Sequence, residues 1–389
     1  LVLRVENSLS GVDPAAWNAL VGRDDPFLEH EFLTALEQSG AVGPGTGWEP
    51  RYLLLQSGGA VRAAMACFVK HDSYGEFVFD WHWAQAYDHA RMAYYPKGVL
   101  AAPFTPVTGS RLLIHPDERE RRALTDDLVS GLIDWGRSLG LSGLHVLFCN
   151  EDEAESLAEH GFLRRLGYQF HWLNRDYATF DGFLDDLRSS RRKQVRKERR
   201  QIAGEGLEIV VVESDAIQGE HVEAIWSFYA DTTGRKWGGA YLNRQTFEAL
   251  AESWRHRLVL VLGRRNRRWV GGAMHVRKDS RLLGRYWGCL EEHPGLHFEC
   301  CYYRPIEYAI ERGIRLVEAG AQGEHKFLRG FVTRPTHSAH WIADPRARAA
   351  IARWLETERL EVEVTIAGYN RVSPLKHIRT AGADADESG

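Results

Sequence analysis

Along residues 48–70 the chain WEPRYLLLQSGGAVRAAMACFVK alternates apolar and polar positions on either side of a Gly-Gly step, the pattern of two strands joined by a tight turn. Residues 257–278, RLVLVLGRRNRRWVGGAMHVRK, repeat it, down to a small-residue segment (AAM, then GAM) before a terminal lysine. Further on, GLIDWGRSLGLSGLHVLF (131–148) predicts an amphipathic helix, a glycine stop and a buried strand. The stretch YRPIEYAIERGIRLVEAG (303–320) predicts the same series. A hairpin, a helix and a strand that occur twice in one order point to an internally duplicated α/β unit. The first copy is longer, because the aromatic, proline-bearing segment 78–107 is inserted in it.

Near 176–180 the strand-like YQFHWLN gives way to a new helix, DGFLDDLRSSRRKQVRKERRQI, and a last helix is expected around 343–364. The pattern divides the chain into an N-terminal unit (1–177), a C-terminal unit carrying the candidate site (178–345), a helical extension (346–377) and a disordered tail (378–389). The fold class expected is α/β (α+β), a mixed sheet with helices on both faces, built twice.

Composition narrows the function classes. The chain has 389 residues, 44% of them hydrophobic and 26% charged, a globular balance that excludes wholesale disorder. No apolar run reaches the ~18–20 residues that cross a bilayer, so no integral membrane segment is expected. The first residues, LVLRVENSLSGVDP, lack the apolar core and cleavage site of a signal peptide. Five cysteines without a C-x-x-C pair suit a reducing compartment, and the cytoplasm is expected. Against 53 acidic residues stand 49 basic ones, so nucleic acid could be held only by a local patch, and DNA is not an expected partner.

The chemistry-bearing residues cluster in the second half. Phosphate loops, dinucleotide fingerprints, G-x-S-x-G and zinc spacings are all missing from the sequence. The string His293, His297, Glu299, Cys300, Cys301 has ligand types but no familiar spacing, so no metal is expected. In RLLGRYWG, Gly284 and Gly288 inside a strand suggest a bulge or a close approach of backbone to a ligand. A helix starting near His297 would carry Glu299, Tyr303 and Glu307 up one side, although Ile306 and Ile310 on that stripe would equally make Tyr303 core. Cys300 and Cys301 near the helix start could have lowered pKa values from its dipole, with packing as the commoner role. The strand ending EAGAQGEHKFLRGF (318–331) then brings Glu318, Gln322, Glu324, His325, Lys326 and Arg329 together among glycines. Open α/β sheets place their sites at such strand ends.

These segments resemble a known family. YYPKGVLAAPFTPVTG (94–109), SSRRKQVRKERRQ (189–201), GRYWG (284–288), LHFECCYYRPIEYAIERG (296–313), AQGEHKFLRGF (321–331) and SAHW (338–341) look like the bacterial FemAB-like family of peptidoglycan biosynthesis or recognition proteins, predicted N-acyltransferases. The resemblance runs from about residue 2 to 377 and implies two tandem GNAT-like domains. The wider FemABX group transfers amino acids from aminoacyl-tRNA onto a peptidoglycan-precursor amine. Its late F-K-x-x-F-G-like block corresponds here to KFLRGF, so the catalytic cation could be Lys326 or Arg329.

Acetyl-CoA-dependent GNAT domains cradle a pyrophosphate on a glycine-rich turn at a helix N-terminus. The matching connection here, EEHPGLHFE (291–299), is acidic with one glycine, which ranks aminoacyl-tRNA above acyl-CoA as donor. Eight of the thirteen residues from Arg188 to Arg200 are Lys or Arg. On a helix, Leu184, Leu187, Val195 and Ile202 form an apolar stripe, and Lys193, Arg196, Lys197 and Arg200 gather opposite as candidate tRNA contacts.

The expected mechanism needs a backbone amide of 281–288 as oxyanion donor, Lys326 or Arg329 as stabilising cation, and His325 or Glu299 as base. Arg285, Tyr286, Trp287 and Trp237 would shape the pocket, and no cofactor is implied. The acceptor expected is a small amine or peptidoglycan precursor. The alternatives are an acyl-CoA-dependent N-acyltransferase and a non-catalytic module that recognises a cell-wall precursor or a protein.

Overall fold

The computed structural model describes residues 1–23, 25–235, 239–320, 323 and 325–376. The strands of the first half are β1 (Val2–Glu6), β2 (Glu49–Ser57), β3 (Ala60–Lys70), β4 (Lys97–Leu100), β5 (Leu113–Ile114), β6 (Gly143–Cys149) and β7 (Leu163–Leu173). Those of the second are β8 (Glu208–Glu213), β9 (Leu258–Arg265), β10 (Arg268–Lys278), β11 (Arg281–Cys289), β12 (Leu316–Glu318) and β13 (Val332–Ile342).

The two expected hairpins form, and they match in detail. Ser57 pairs with Ala60 across a two-residue turn, Gln56 with Val61, and Arg62 is then bulged before Leu55 meets Ala63. In the second hairpin Arg265 pairs with Arg268, Arg264 with Trp269, and Val270 is bulged before Gly263 meets Gly271. The bulge falls at the same step from the tip in both hairpins, the match a repeated unit calls for. Both terminal lysines are buried and tie down loops: Lys70 donates to the carbonyls of Gly47 and Tyr74, Lys278 to those of Gly22 and Asp25.

The sheet itself was not legible in full. Its order is β1-β2-β3-β4-β6-β13-β7-β12-β11-β10-β9-β8, with β5 paired to β3, so the two copies fuse into one continuous sheet. They do so by exchanging a strand. β7, from the first half, pairs with β12, while β13, from the second, pairs with β6, and the two exchanged strands pair with each other from Leu163↔His340 to His171↔Val332.

Amphipathic helices cover both faces. Leu124, Leu128, Val129, Leu132 and Ile133 of Arg121–Ser138 pack on β2, β3 and β6, each such burial contributing about 1.5–3 kcal/mol. On the other face one core spans both halves, joining Trp17, Phe32 and Phe104 to Phe228, Trp254 and Leu283. The last helix runs Pro345–Arg371, capped by the Asp344 carboxylate on the amides of Arg346 and Ala347.

The long helix expected from Asp181 is two helices, Phe180–Asp186 and Ser189–Gly204. Leu187 between them is extended (ψ 145°) and bridges to Leu375, while the Arg188 amide donates to the Pro374 carbonyl. Docking of Pro374 and Leu375 therefore breaks a helix that propensity alone would continue. The expected apolar stripe survives the break: Leu184, Leu187, Val195 and Ile202 are all buried. The tail from 378 lies outside the described residues.

Candidate active site

The site is built where β11 parts from β12. The two strands pair in parallel only through Arg281↔Leu316, Leu282↔Val317 and Leu283↔Glu318. Past that point β11 is bulged at Arg285, because Met274 faces Tyr286 while the next residue, His275, faces Gly284. The bulge suggested by the glycines is thus present. The close approach at Gly288 is to protein: a Cβ there would collide with the Phe228 carbonyl oxygen of helix Gly219–Gly234. A cavity of about 90 Å³ opens beside the parted strand, lined by His275, Gly284–Trp287, His297, Cys301, Tyr302 and Ala319.

The helix beside this cavity changes period. After Leu296–Phe298 the chain makes a π turn, Glu299–Tyr303, in which the Arg304 amide donates to the Glu299 carbonyl, before α-helix resumes at Arg304–Glu311. Such turns cluster at functional sites. The extra residue per turn rotates Glu299, Tyr303 and Glu307 toward the basic helix. Arg199 is a fork between two carboxylates, with Nη2 at 2.9 Å from Glu299 and 2.9 Å from Glu307. Burial raises the Glu299 pKa against the pull of Arg199, whereas at Glu307 burial is outweighed by Arg199 and Arg304 and the value falls.

A second knot holds the loop after β12. Arg329 is buried; its Nε donates to the Tyr303 hydroxyl at 2.8 Å and its Nη2 to Glu198 at 2.9 and 3.0 Å. Its guanidinium lies 3.5 Å over the Phe298 ring, and Nη1 donates to the His325 carbonyl. The Tyr303 hydroxyl also donates to Glu198. Lys326 is 1% exposed and donates to the Gly320 carbonyl. Burial lowers its pKa to about 8, opposed by Cys301 and Glu318 nearby. His325, by contrast, is exposed, its ring centroid 6.1 Å from that of Phe298.

Of the expected residues, Arg285, Tyr286 and Trp287 line the cavity, whereas Glu299, His325, Lys326 and Arg329 are not part of its wall. Glu318 is buried and receives Arg281, with His171 Nε2 3.9 Å away, while its Oε2 accepts no hydrogen bond. Burial alone would raise the Glu318 pKa, but Arg281 and His171 hold it low. Arg285 lines the cavity and donates to the Phe104 carbonyl of the first half. Tyr286 packs edge-on to Tyr229, and Trp287 to His297. His293 is engaged by Glu205. The cysteine pKa values expected to fall rise instead, because burial outweighs any dipole at Cys300 and Cys301. Trp237, Gln322 and Glu324 lie outside the described residues.

Glu198, Arg199 and Arg281 were missed by sequence reasoning. The first two sit inside the charge run, and only an i, i+3/i+4 count from the buried Val195 and Ile202 would have turned them inward. Lys193, Arg196, Lys197 and Arg200 stand on the exposed side of Ser189–Gly204, with Arg196 3.1 Å from Asp181. Among the described residues no carboxylate pairs with the other three.

The sequence profile of the FemAB-like family, described as peptidoglycan biosynthesis/recognition, matches residues 8–377. The chain belongs to the FemAB-like family. No curated protein matches it. Among solved structures, this FemAB-like chain is similar to FemX at 11% identity and a TM-score of 0.54, covering 90% of this chain and 100% of that one. It is similar to L-PGS from Bacillus licheniformis at 11% identity and TM-score 0.51, covering 86% and 98%. It also matches the C-terminal domain of a protein described as a lysylphosphatidylglycerol synthetase from Agrobacterium fabrum, at 10% identity and TM-score 0.54, covering 89% and 96%. At these identities the likeness is one of fold alone, a mixed α/β architecture. No helix among the described residues is long and apolar enough to cross a membrane.

Proposed function

We propose that this FemAB-like protein transfers an aminoacyl group from aminoacyl-tRNA to an amine acceptor of the peptidoglycan-precursor kind. The observation that carries the reading is the N-terminus of the 296–311 helix, where GNAT acetyltransferases seat a pyrophosphate. A Cβ on Gly295 would meet Ile202 at 3.5 Å and the Glu198 carbonyl at 3.8 Å, so the basic helix already covers that position. The same helix presents Lys193, Arg196, Lys197 and Arg200 outward, a surface suited to RNA phosphates. FemX and L-PGS, which share the fold, fit this reading.

In the reaction the acceptor nitrogen attacks the ester carbonyl, a C–N bond forms, and the C–O bond to the ribose breaks. The tRNA hydroxyl leaves with a proton, and the nitrogen gives up its own to a base. Lys326, charged below a pH of about 8, stabilises the oxyanion together with a backbone amide of the parted strand at 284–287. His325 is the accessible base, since Glu299 is held by Arg199. Glu318, with one buried carboxylate oxygen that accepts no hydrogen bond, suits an ammonium group of the donor or acceptor. Arg329 and Tyr303 position the loop. The test is mass spectrometry of products formed from charged total tRNA and candidate amines. Product from acyl-CoA and none from charged tRNA would overturn the reading.

A further inference from the structure

The tips of the two equivalent hairpins differ where their geometry is the same. At the first tip Gly58 and Gly59 occupy the turn with φ of 56° and 84°, flanked by Ser57 and Ala60. At the second, Asn266 and Arg267 occupy it with φ of 48° and 65°, flanked by Arg265 and Arg268. A type I′ turn of this kind favours glycine at its second position, and an arginine held left-handed is strained there. Arg265 and Arg268 are also direct cross-strand partners, and like charges so placed repel. The second tip thus departs twice from what its own fold favours, and both departures add positive charge.

Those charges are free. Arg265, Arg267 and Arg268 are exposed, and among the described residues none pairs with a carboxylate. Only Arg264, one step back, is neutralised, by Glu208 at 2.7 Å. That pair also locates the tip. Glu208 opens β8, four residues after the basic helix ends at Gly204, and Glu208 is the strand partner of Arg264. The C-terminal end of the basic helix and the arginine tip therefore lie at the same end of the sheet. No large apolar side chain is exposed on the tip, as insertion into a lipid surface would require.

The geometry points to the 265–268 tip as a second phosphate-contacting element for the same RNA, extending the cationic face of Lys193, Arg196, Lys197 and Arg200. This rests on the aminoacyl-tRNA reading and deepens it. The hairpin tip projects from the end of the sheet toward the nucleic acid backbone, and together with the basic helix holds it at two points so that the acyl end is oriented toward the parted strand. Three guanidinium–phosphate contacts carry no base information, so their loss weakens all tRNAs alike.

The experiment replaces the second tip with the first, as Arg265→Ser, Asn266→Gly, Arg267→Gly and Arg268→Ala in the full chain, and measures uncharged total tRNA binding against salt. The swapped protein should bind roughly tenfold more weakly at low salt, with a log–log salt slope shallower by about 2–3. Its melting temperature should not fall, which separates lost contacts from lost fold. Replacement of Lys193, Arg196, Lys197 and Arg200 by Gln gives the parallel arm. If that variant loses tRNA and the tip swap does not, the tip assignment is overturned and the tRNA reading stands. If the unaltered protein does not bind tRNA at all, the reading falls and the tip falls with it. A tip swap that loses phosphatidylglycerol vesicles but keeps tRNA also overturns the assignment, in favour of a lipid surface.

Discussion

The two copies of the unit diverge most at their fourth strands. In the first half β4 is four residues long and wholly buried, and the chain that follows fills the space beyond it. Gly109 donates to the Phe148 carbonyl, and the amides of Arg111 and Leu112 donate to Glu153, so residues 101–112 close over the end of β6. Lys97 at the start of β4 is sealed among Ser73, Glu76 and Asp80. In the second half β11 runs nine residues, bulges at Arg285 and leaves a cavity where the first half has a plug. The first half closes over this position with its own chain, whereas the second leaves it open; on the loop after β12 burial lowers the Lys326 pKa to about 8.

The comparison makes its strongest prediction at the two lysines. Lys326→Met should lower kcat at least about a hundredfold, the usual loss on removing an oxyanion donor, with little change in melting temperature. The unaltered enzyme should lose activity as pH rises through about 8, because burial makes the Lys326 ammonium deprotonate there. That limb should move upward in Lys326→Arg. Retention of the alkaline limb in Lys326→Arg would place the titrating group elsewhere. Lys97→Met should do the reverse. It leaves Asp80 buried without its cation and Glu76 with only Lys70, 3.9 Å away, a loss of about 3–5 kcal/mol in urea denaturation. Activity per folded molecule should persist, and a folded but inactive Lys97→Met protein would mean that the first half also carries chemistry.

What the sequence disclosed follows from what periodicity can carry. The hairpins, the small-residue steps and the lysines that end them are local patterns and were legible, whereas the burial of Lys70 and Lys278 was not. Strand exchange is not local. β7 and β13 read as ordinary buried strands wherever they pair, so nothing in either segment announces that each crosses to the other copy. The break at Leu187 likewise depends on Leu375, far along the chain. At the site, the lysine, the glycine-bearing strand and the loop were recognisable by type. The inward turn of Glu198 and Arg199 was hidden inside a run of charge, and the π turn that aims Glu299 and Glu307 at Arg199 leaves no compositional trace.

The exchanged strands give a smaller, pH-dependent effect. His145 of β6 and His340 of β13 are cross-strand partners whose Nδ1 atoms lie 2.8 Å apart, fully buried. Burial first, then Lys97 at His145 and the opposing imidazole at His340, depress both values well below 6.5. The unfolded chain therefore binds more protons as pH falls. The stability held by this pair is complete above about pH 6.5 and declines below it toward the depressed folded values. Urea midpoints at pH 7.5 and 5.5 should show the decline, and His340→Phe should flatten it. An unchanged pH dependence in that variant would remove the pair from the account.

The smallest effect returns to the hairpin tips and separates strain from function. Arg267→Gly relieves a left-handed arginine at φ 65° and thins a like-charged tip, so it should stabilise the protein by about 0.5–1 kcal/mol. Gly59→Arg at the equivalent place, φ 84°, should destabilise by a similar amount, since a Cβ there meets nothing within 4 Å and only the backbone conformation is penalised. Opposite signs at matched positions would show that the second tip carries its arginines against the preference of the fold. Equal signs would mean that the two turns are not equivalent in energy, and the charge at 265–268 would then need no explanation beyond its own local structure.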